Sequence, residues 1–295
     1  PHCLATGTTD DDIYIEYGGK IYGAADILHA AECISDFGEA SPCYVLYDAI
    51  MRAQGAPSNG YLPAEAKAKV YTKYDGPEAT ASQPNCKRAG YVRLLILGLN
   101  HDALEVVSGA YDGGKGSAQV TKRAGITFQF ADALFMGRLN EANSNIGGWA
   151  SSELRASLLS SSGPIAANLA IAQSIKLVYK FTNNERGDIS LTSNPKAWPT
   201  IITATQDKLF ITSLCENSGK YRGDDDRFAD DLALSSKAAF YAWANHEGYQ
   251  YEYWSDVAGV CNRPPSNPSA LFTSPLIKRS TSGLTQWWTR YQRAG

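Results

Sequence analysis

Few residues in this chain have types and spacing that could do chemistry. His101 and Asp102 adjoin in Leu97-Gly98-Leu99-Asn100-His101-Asp102, directly after an apolar run. A base beside a carboxylate at a strand end could form part of a hydrolytic dyad. The competing reading is a turn whose Asn and Asp side chains bond local backbone, and with no Ser or Cys nucleophile motif nearby the turn is favoured. Acidic runs at Asp10-Asp11-Asp12 and Asp224-Asp225-Asp226 could each offer oxygens to a hard cation such as calcium, although neither follows an EF-hand pattern. As solvated loops they need no ion, and the second run could also cap the helix that follows it. Gly113-Gly114-Lys115-Gly116-Ser117 lacks the spacer between glycines that a phosphate loop requires. His2, His29 and His246 have no metal-ligand spacing to one another.

Six cysteines are present, at positions 3, 33, 43, 86, 215 and 261, and no CxxC pair occurs. Cys3, Cys33, Cys43 and Cys86 crowd the N-terminal part, so any local disulfide belongs there; buried free thiols are the alternative. Aromatic residues are the remaining binding candidates. Tyr249, Tyr251, Tyr253 and Trp254 form one set, and Trp287-Trp288 with Arg290 another. Their faces could stack on a sugar ring or an amphipathic ligand, with Tyr249, Tyr253, Trp288 and Arg290 as contacts. The alternative for both sets is core packing, with Tyr251 and Tyr253 on one face of a strand.

The elements that must position these residues alternate irregularly. Ile13–Tyr17 reads as a strand, Gly18-Gly19 as a hairpin turn, and Lys20–Tyr22 as the returning strand. Ala24–Ala31 and Tyr44–Ala53 read as short helices, and residues 54–84, rich in Ala, Gly, Pro and Ser, as an irregular excursion. Tyr91–Leu99 is apolar on both faces apart from Arg93 and reads as an interior strand. Further strands are expected at Ile126–Phe130, Ile175–Phe181, Thr200–Thr205, Lys208–Thr212 and Gln250–Trp254. Helices are expected near Ala131–Met136, at Ser151–Leu159, at Pro164–Ser174 and at Phe228–Asn245, with loops at Tyr111–Gly116 and Cys261–Pro275. The segment Asn143–Arg155 combines a Gly-Gly turn, a buried Trp149 and a helix start capped by Ser151 or Ser152, with Glu153 favouring the positive helix end. That segment serves architecture and holds no nucleophile–base pair.

The chain has 295 residues, 44% hydrophobic and 19% charged, with 17 Tyr and 6 Trp. Such a composition describes a globular protein with a real core. A net charge of -3 without a basic stripe argues against nucleic acid. No apolar run approaches the roughly 18 residues of a membrane span. Pro1-His2-Cys3-Leu4 offers neither an initiator Met nor a signal peptide, so the chain reads as processed, truncated or internally started. Short strands, short helices and long loops without βαβ alternation indicate an α+β fold.

Taken in order, Leu97–Asp102, Ala124–Gln129, Asn143–Arg155, Asp207–Ser213, Gln250–Trp254 and Trp287–Arg290 resemble a family of uncharacterised domains. That family occurs in virion-surface proteins of phages and prophages of gut bacteria and in some bacterial surface proteins. The resemblance spans roughly residues 90–290. It implies a C-type-lectin-like α+β fold, with a mixed, mainly antiparallel sheet, flanking short helices and long loops. It divides the chain into an irregular α+β segment, 1–87, packed on a lectin-like domain, 88–295. The family has no established catalytic residues, so none are carried over. Its members usually continue beyond the tandem Trp with short strands, so this chain reads as truncated at its C-terminus, to be completed by a partner or a tail. The region of Asp224-Asp225-Asp226 and Phe228–Asn245 is also longer than the family norm.

The expected function is therefore non-enzymatic, with no cofactor unless calcium binds the acidic run. The expected role is tail-associated or capsid-decorating, displaying loops for attachment to a host-surface glycan or protein at a virion or cell surface. Expected partners are other surface-assembly subunits, including copies of itself, with no nucleic acid and no membrane span. One alternative is a bacterial cell-surface adhesin or fibre subunit. The other is an enzyme, either a glycan hydrolase or a cysteine oxidoreductase using Cys215 and Cys261.

Overall fold

The computed structural model describes residues 3–57, 62–76, 90–106, 120–131, 134, 140, 148–183, 202–213, 216–217 and 248–259, and the backbone of 277–280 and 283–286. Strands β1 (Ile13–Tyr17) and β2 (Lys20–Tyr22) form a hairpin whose turn places both Gly18 and Gly19 at positive φ, 59° and 71°. This is the backbone a two-residue hairpin turn requires, and it explains why glycine occupies both positions. Helices α1 (Ala24–Phe37) and α2 (Pro42–Ala53) follow, both longer than the apolar spacing suggests. Pro42 opens α2, and the Ser41 side chain accepts from Cys43 N.

Strand β3 (Ala68–Tyr74) lies inside the stretch read as an irregular excursion. Its alternation was legible: Ala68, Val70, Thr72 and Tyr74 are buried, whereas Lys69, Tyr71 and Lys73 are not. The surrounding Ala, Gly, Pro and Ser masked that period. β3 pairs with β1 on one side and with β4 (Gly90–Leu99) on the other, and β4 pairs with β7 (Ile126–Phe130). The resulting five-stranded antiparallel sheet has the order β2-β1-β3-β4-β7. Cross-strand rows Ile13–Thr72–Val92 and Ile15–Val70–Leu94 face one side of it. The boundary expected at residue 87/88 therefore falls between two hydrogen-bonded neighbours, and both halves share one sheet. They also share one core: α1, α2, β1, β3 and β4 bury side chains together with Tyr251, Tyr253 and Trp254.

A four-stranded antiparallel sheet has the order β6-β5-β8-β9, with β5 at Ala103–Val106, β6 at Val120–Arg123, β8 at Val178–Asn183 and β9 at Ile202–Asp207. β4 runs into β5, and β6 runs back into β7, so one two-stranded ribbon belongs to both sheets and bends at residues 100–102 and 124–125. Asn100 takes positive φ (51°) at the bend. Backbone bonds from Asn100 N to Gly125 O and from Ala124 N to Asp102 O carry the ladder through it. A separate hairpin joins β10 (Ile277–Ser280) to β11 (Gly283–Gln286). The α+β class with mainly antiparallel sheets agrees with the sequence.

Three expected elements differ. α3 (Glu153–Leu159) forms as read, but Pro164–Ser174 is a string of turns. Its backbone pairs with the end of β3 instead, through Asp75 N to Asn168 O and Ala170 N to Lys73 O. Sheet contact outbids helical propensity there. Lys208–Thr212 is not a strand. Gln250–Trp254 is not extended either; it leads into a turn of π-helix, Tyr253–Val257, closed by Ala258 N to Tyr253 O. Tyr251 and Tyr253 thus do not share a strand face. The helices near Ala131–Met136 and at Phe228–Asn245, and the loops at Tyr111–Gly116 and Cys261–Pro275, lie wholly or mostly outside the described residues.

Candidate functional site

The bend between the sheets gathers the densest set of ionisable side chains among the described residues. Lys180 on β8 is only 1% exposed and points into the corner. Its ammonium donates to Asp102 Oδ1, to Glu216 Oε1 (2.9 Å) and to the Tyr251 hydroxyl (2.7 Å), while lying 3.8 Å from the Phe210 ring centroid. An ammonium has three donors, and all three are committed here. Tyr251 OH in turn lies 3.0–3.1 Å from both Asp102 oxygens, and Thr127 Oγ1 donates to Asp102 Oδ2 at 2.6 Å. Glu216 Oε2 accepts from Ser213 N, and Ser213 Oγ accepts from Glu216 N, the reciprocal pattern of a capping box.

Burial by itself raises the Asp102 carboxyl, since desolvation disfavours its charged form. The attraction of Lys180 and of His101, with the Lys180 and Thr127 hydrogen bonds, overrides this and carries it down to about 2. The carboxylate is therefore a fixed negative partner at neutral pH, with no proton to give.

His101 is 3% exposed and does not serve Asp102 as a dyad partner. Its ring is clamped between Tyr249 and Tyr251, with centroids 4.0 and 4.1 Å away, and its Nδ1 lies 3.2 Å from Glu252 Oε1. Arg123 Nη1 donates to His101 O (2.6 Å) and to Tyr249 OH (3.0 Å). The turn reading describes the backbone at 100–102, but the Asp102 side chain bonds distant segments, not local backbone. Gly98 eases the packing beside this corner: a Cβ there would sit tightly, 3.2 Å from both His101 Cβ and Tyr251 Cδ1, and would push the Glu252 carboxylate aside. Its lack of a side chain admits the 251–252 segment.

Apart from the corner, Asp207 at the end of β9 is a further buried carboxylate, 0% exposed. Trp149 Nε1 donates to Oδ2 (2.8 Å), Thr205 Oγ1 to Oδ2 (2.7 Å), and Arg155 Nε to Oδ1 (2.7 Å). Ser152 caps α3 by accepting from Arg155 N, so of the two serines considered Ser152 is the cap. Trp149 is fully buried, in line with its sequence reading.

Tyr253 is 0% exposed and its hydroxyl donates to Gly55 O at 2.8 Å. Tyr249 OH donates to His101 O at 3.1 Å. Burial pushes both phenols up and keeps them protonated as donors, although Arg123 draws Tyr249 and Arg93 draws Tyr253 partly back. Packing, the other reading of these tyrosines, accounts for the buried Tyr253 ring, while Tyr249 is half-buried against His101. Trp288 and Arg290 lie outside the described residues, as do Asp224, Asp225, Asp226, the Gly113–Ser117 stretch, Cys86, Cys215 and Cys261.

Among the described residues, one group of His, Cys, Asp or Glu side chains lies close enough to share a metal: His29, Cys33 and Cys43. Cys43 is bonded to Cys3, so its sulfur is not an available thiolate. The local disulfide anticipated in the N-terminal part is this bridge. Asp10, Asp11 and Asp12 form no such group; Asp11 Oδ2 accepts from Thr8 N.

A cavity of about 620 Å³ opens between α1, β4, β7 and the 169–178 and 208–210 segments. Ile27, Leu94, Phe128, Leu169 and Phe210 make its lining chiefly apolar. Asp102 and Thr127 border it, but their polar atoms already have partners. Lys180 and Asp207 escaped sequence reasoning because a charged residue on a strand is read as facing solvent by default, and Glu216 because an isolated carboxylate is read the same way. The Ser213/Glu216 spacing was the one visible signal. No family model matches the chain, and no curated protein or solved structure matches it.

Proposed function

We propose that the chain is a non-enzymatic display scaffold of a virion surface, tail-associated or capsid-decorating, that presents its intervening loops for host attachment. The observation that carries this reading is how its buried charges are used. Asp102, Trp149, Arg155, Asp207 and Tyr251, which sit in the segments that carry the family resemblance, are consumed in tying those segments together. Lys180, buried among them, has no donor left for a substrate. A reaction needs a base or acid with capacity to spare, whereas a scaffold needs the opposite. Recognition then falls to loops repeated over many copies, where avidity lets each contact be weak. Other subunits of the surface assembly, including copies of this chain, are its structural partners, and a host glycan or protein is its target.

The test is binding by a multimer. The chain immobilised at high density on beads is expected to retain host cells or array glycans that the monomer does not. A multimer that binds nothing removes the attachment role. Turnover of a surface polysaccharide by the monomer removes the non-enzymatic one.

The Cys3–Cys43 bridge favours a second reading, a bacterial cell-surface adhesin. Disulfides form and persist in oxidising compartments, which an exported protein enters directly and a virion meets on release.

A further inference from the structure

On α1, His29 and Cys33 are four residues apart, so their side chains leave the same face of the helix. His29 Nε2 lies 3.6 Å from Cys33 Sγ. A ring nitrogen of His29, Cys33 Sγ and Cys43 Sγ all lie within 4.8 Å of one another. Cys43 is already bonded to Cys3. A thiol, a proton acceptor and a disulfide therefore meet at one place, with Cys43 as the bridged sulfur within reach of the thiol.

We propose that this cluster is a thiol–disulfide exchange site in which Cys33 displaces Cys3 from Cys43. The His29 imidazole accepts the Cys33 proton, and the thiolate lone pair forms a new Cys33–Cys43 bond. The Cys3–Cys43 bond breaks, its electron pair leaves on the Cys3 sulfur, and that sulfur takes up the proton. One disulfide replaces another, so no oxidant or reductant is consumed. Cys43, the second residue of α2, is the central sulfur in both directions: the reverse step, attack of the Cys3 thiolate on Cys43, releases Cys33.

The consequence lies in which segments are tied. Before exchange, the bridge fastens the arm that precedes β1 to α2; afterwards it staples α1 to α2. The arm is then held by Thr6, whose N–H and hydroxyl donate to Asp26, and by Gly7 N to Ile21 O. Cys3 becomes a free thiol on that arm, able to attack a disulfide of a second molecule by the same exchange, releasing one of its sulfurs as a thiol. This inference does not rest on the attachment reading.

Peptide mapping by mass spectrometry after alkylation of the folded, full chain reads the exchange. Incubated near pH 8 without reductant, where a free thiol is substantially ionised, the chain is expected to yield two species. One carries Cys3–Cys43 with labelled Cys33, the other Cys33–Cys43 with labelled Cys3. Cys33→Ser is expected to abolish Cys3 labelling, and His29→Gln to slow its appearance about tenfold or more. Cys3→Ser, which leaves the helices untouched, is expected to form Cys33–Cys43 on mild oxidation. Wild type that labels only Cys33, together with a Cys3→Ser chain that keeps both thiols, would overturn the proposal. So would Cys3 labelling that persists in Cys33→Ser. Recovery of all three sulfurs unbridged with one zinc per chain would overturn it as well, by making the cluster a metal site.

Discussion

The buried carboxylates Asp102 and Asp207 hold the molecule together in different ways. Asp102 is satisfied from three separate stretches of chain, by Thr127, Lys180 and Tyr251, and it shares the Lys180 ammonium with Glu216. Asp207 is satisfied by its near neighbour Thr205 and by Trp149 and Arg155, both beside a single helix start. The cation also differs. Lys180 is enclosed, whereas the Arg155 side chain keeps 20% of its surface in solvent. The corner thus depends on simultaneous assembly of distant segments, and the Asp207 cluster on a local cap docking against one strand. An enclosed ion pair adds little over an apolar substitute, but breaking it strands a charge. Removing either kind of centre should therefore cost stability unequally.

The sharpest way to break the contrast is Lys180→Met, which leaves Asp102 and Glu216 facing each other without a cation. We expect a loss of about 3–5 kcal/mol in urea unfolding, a large fraction of the roughly 5–15 kcal/mol that holds an ordinary domain folded. Asp207→Asn keeps the shape and one acceptor, and Arg155 can turn to water. We expect about 2 kcal/mol, read in the same titration. If the two losses prove equal, enclosure of the cation is not what separates the two centres.

Acid probes the Asp102 centre further. The folded Asp102 carboxyl is depressed to about 2 from 3.8, so its contribution is fully present above the unfolded value. That contribution is lost as pH falls through about 4 toward 2. The stability gap between wild type and Asp102→Asn is expected to stay constant from neutral pH to about 5, then narrow over that window. A gap unchanged down to pH 2 would mean that Lys180 does not hold the carboxylate charged. The smallest effect is expected at the surface. Arg52 pairs with Asp48 and Asp256, yet its side chain is 49% exposed, so Arg52→Ala should change stability by only about 0.5 kcal/mol, by the same unfolding curve.

The elements of the first sheet were largely readable because each carries its own local signal. Gly18-Gly19 announces a turn, Pro42 a helix start, and the double-faced apolar run of β4 an interior strand. β3 was readable too, but its period is short and its flanks resemble a loop. The Asn143–Arg155 segment was legible as architecture, since capping and a buried Trp are local matters. The corner was not. Nothing in Val178-Tyr179-Lys180-Phe181 says that the lysine turns inward, because its partners are supplied by turns far along the chain.

Sequence by itself determined the α+β class, the Gly18-Gly19 hairpin and the capped start of α3, all consequences of short-range periodicity and residue geometry. Tertiary structure alone decided that one ribbon bends between two sheets and that 164–174 gives up helix for pairing with β3. It alone turned His101 and Asp102 from a possible dyad into parts of a closed ionic corner, and brought Cys33 to the bridge between Cys3 and Cys43. The physical reason is range. A turn or a cap is fixed by neighbours a few residues away, whereas a buried charge is tolerable only where distant partners converge, and convergence exists only in the folded chain.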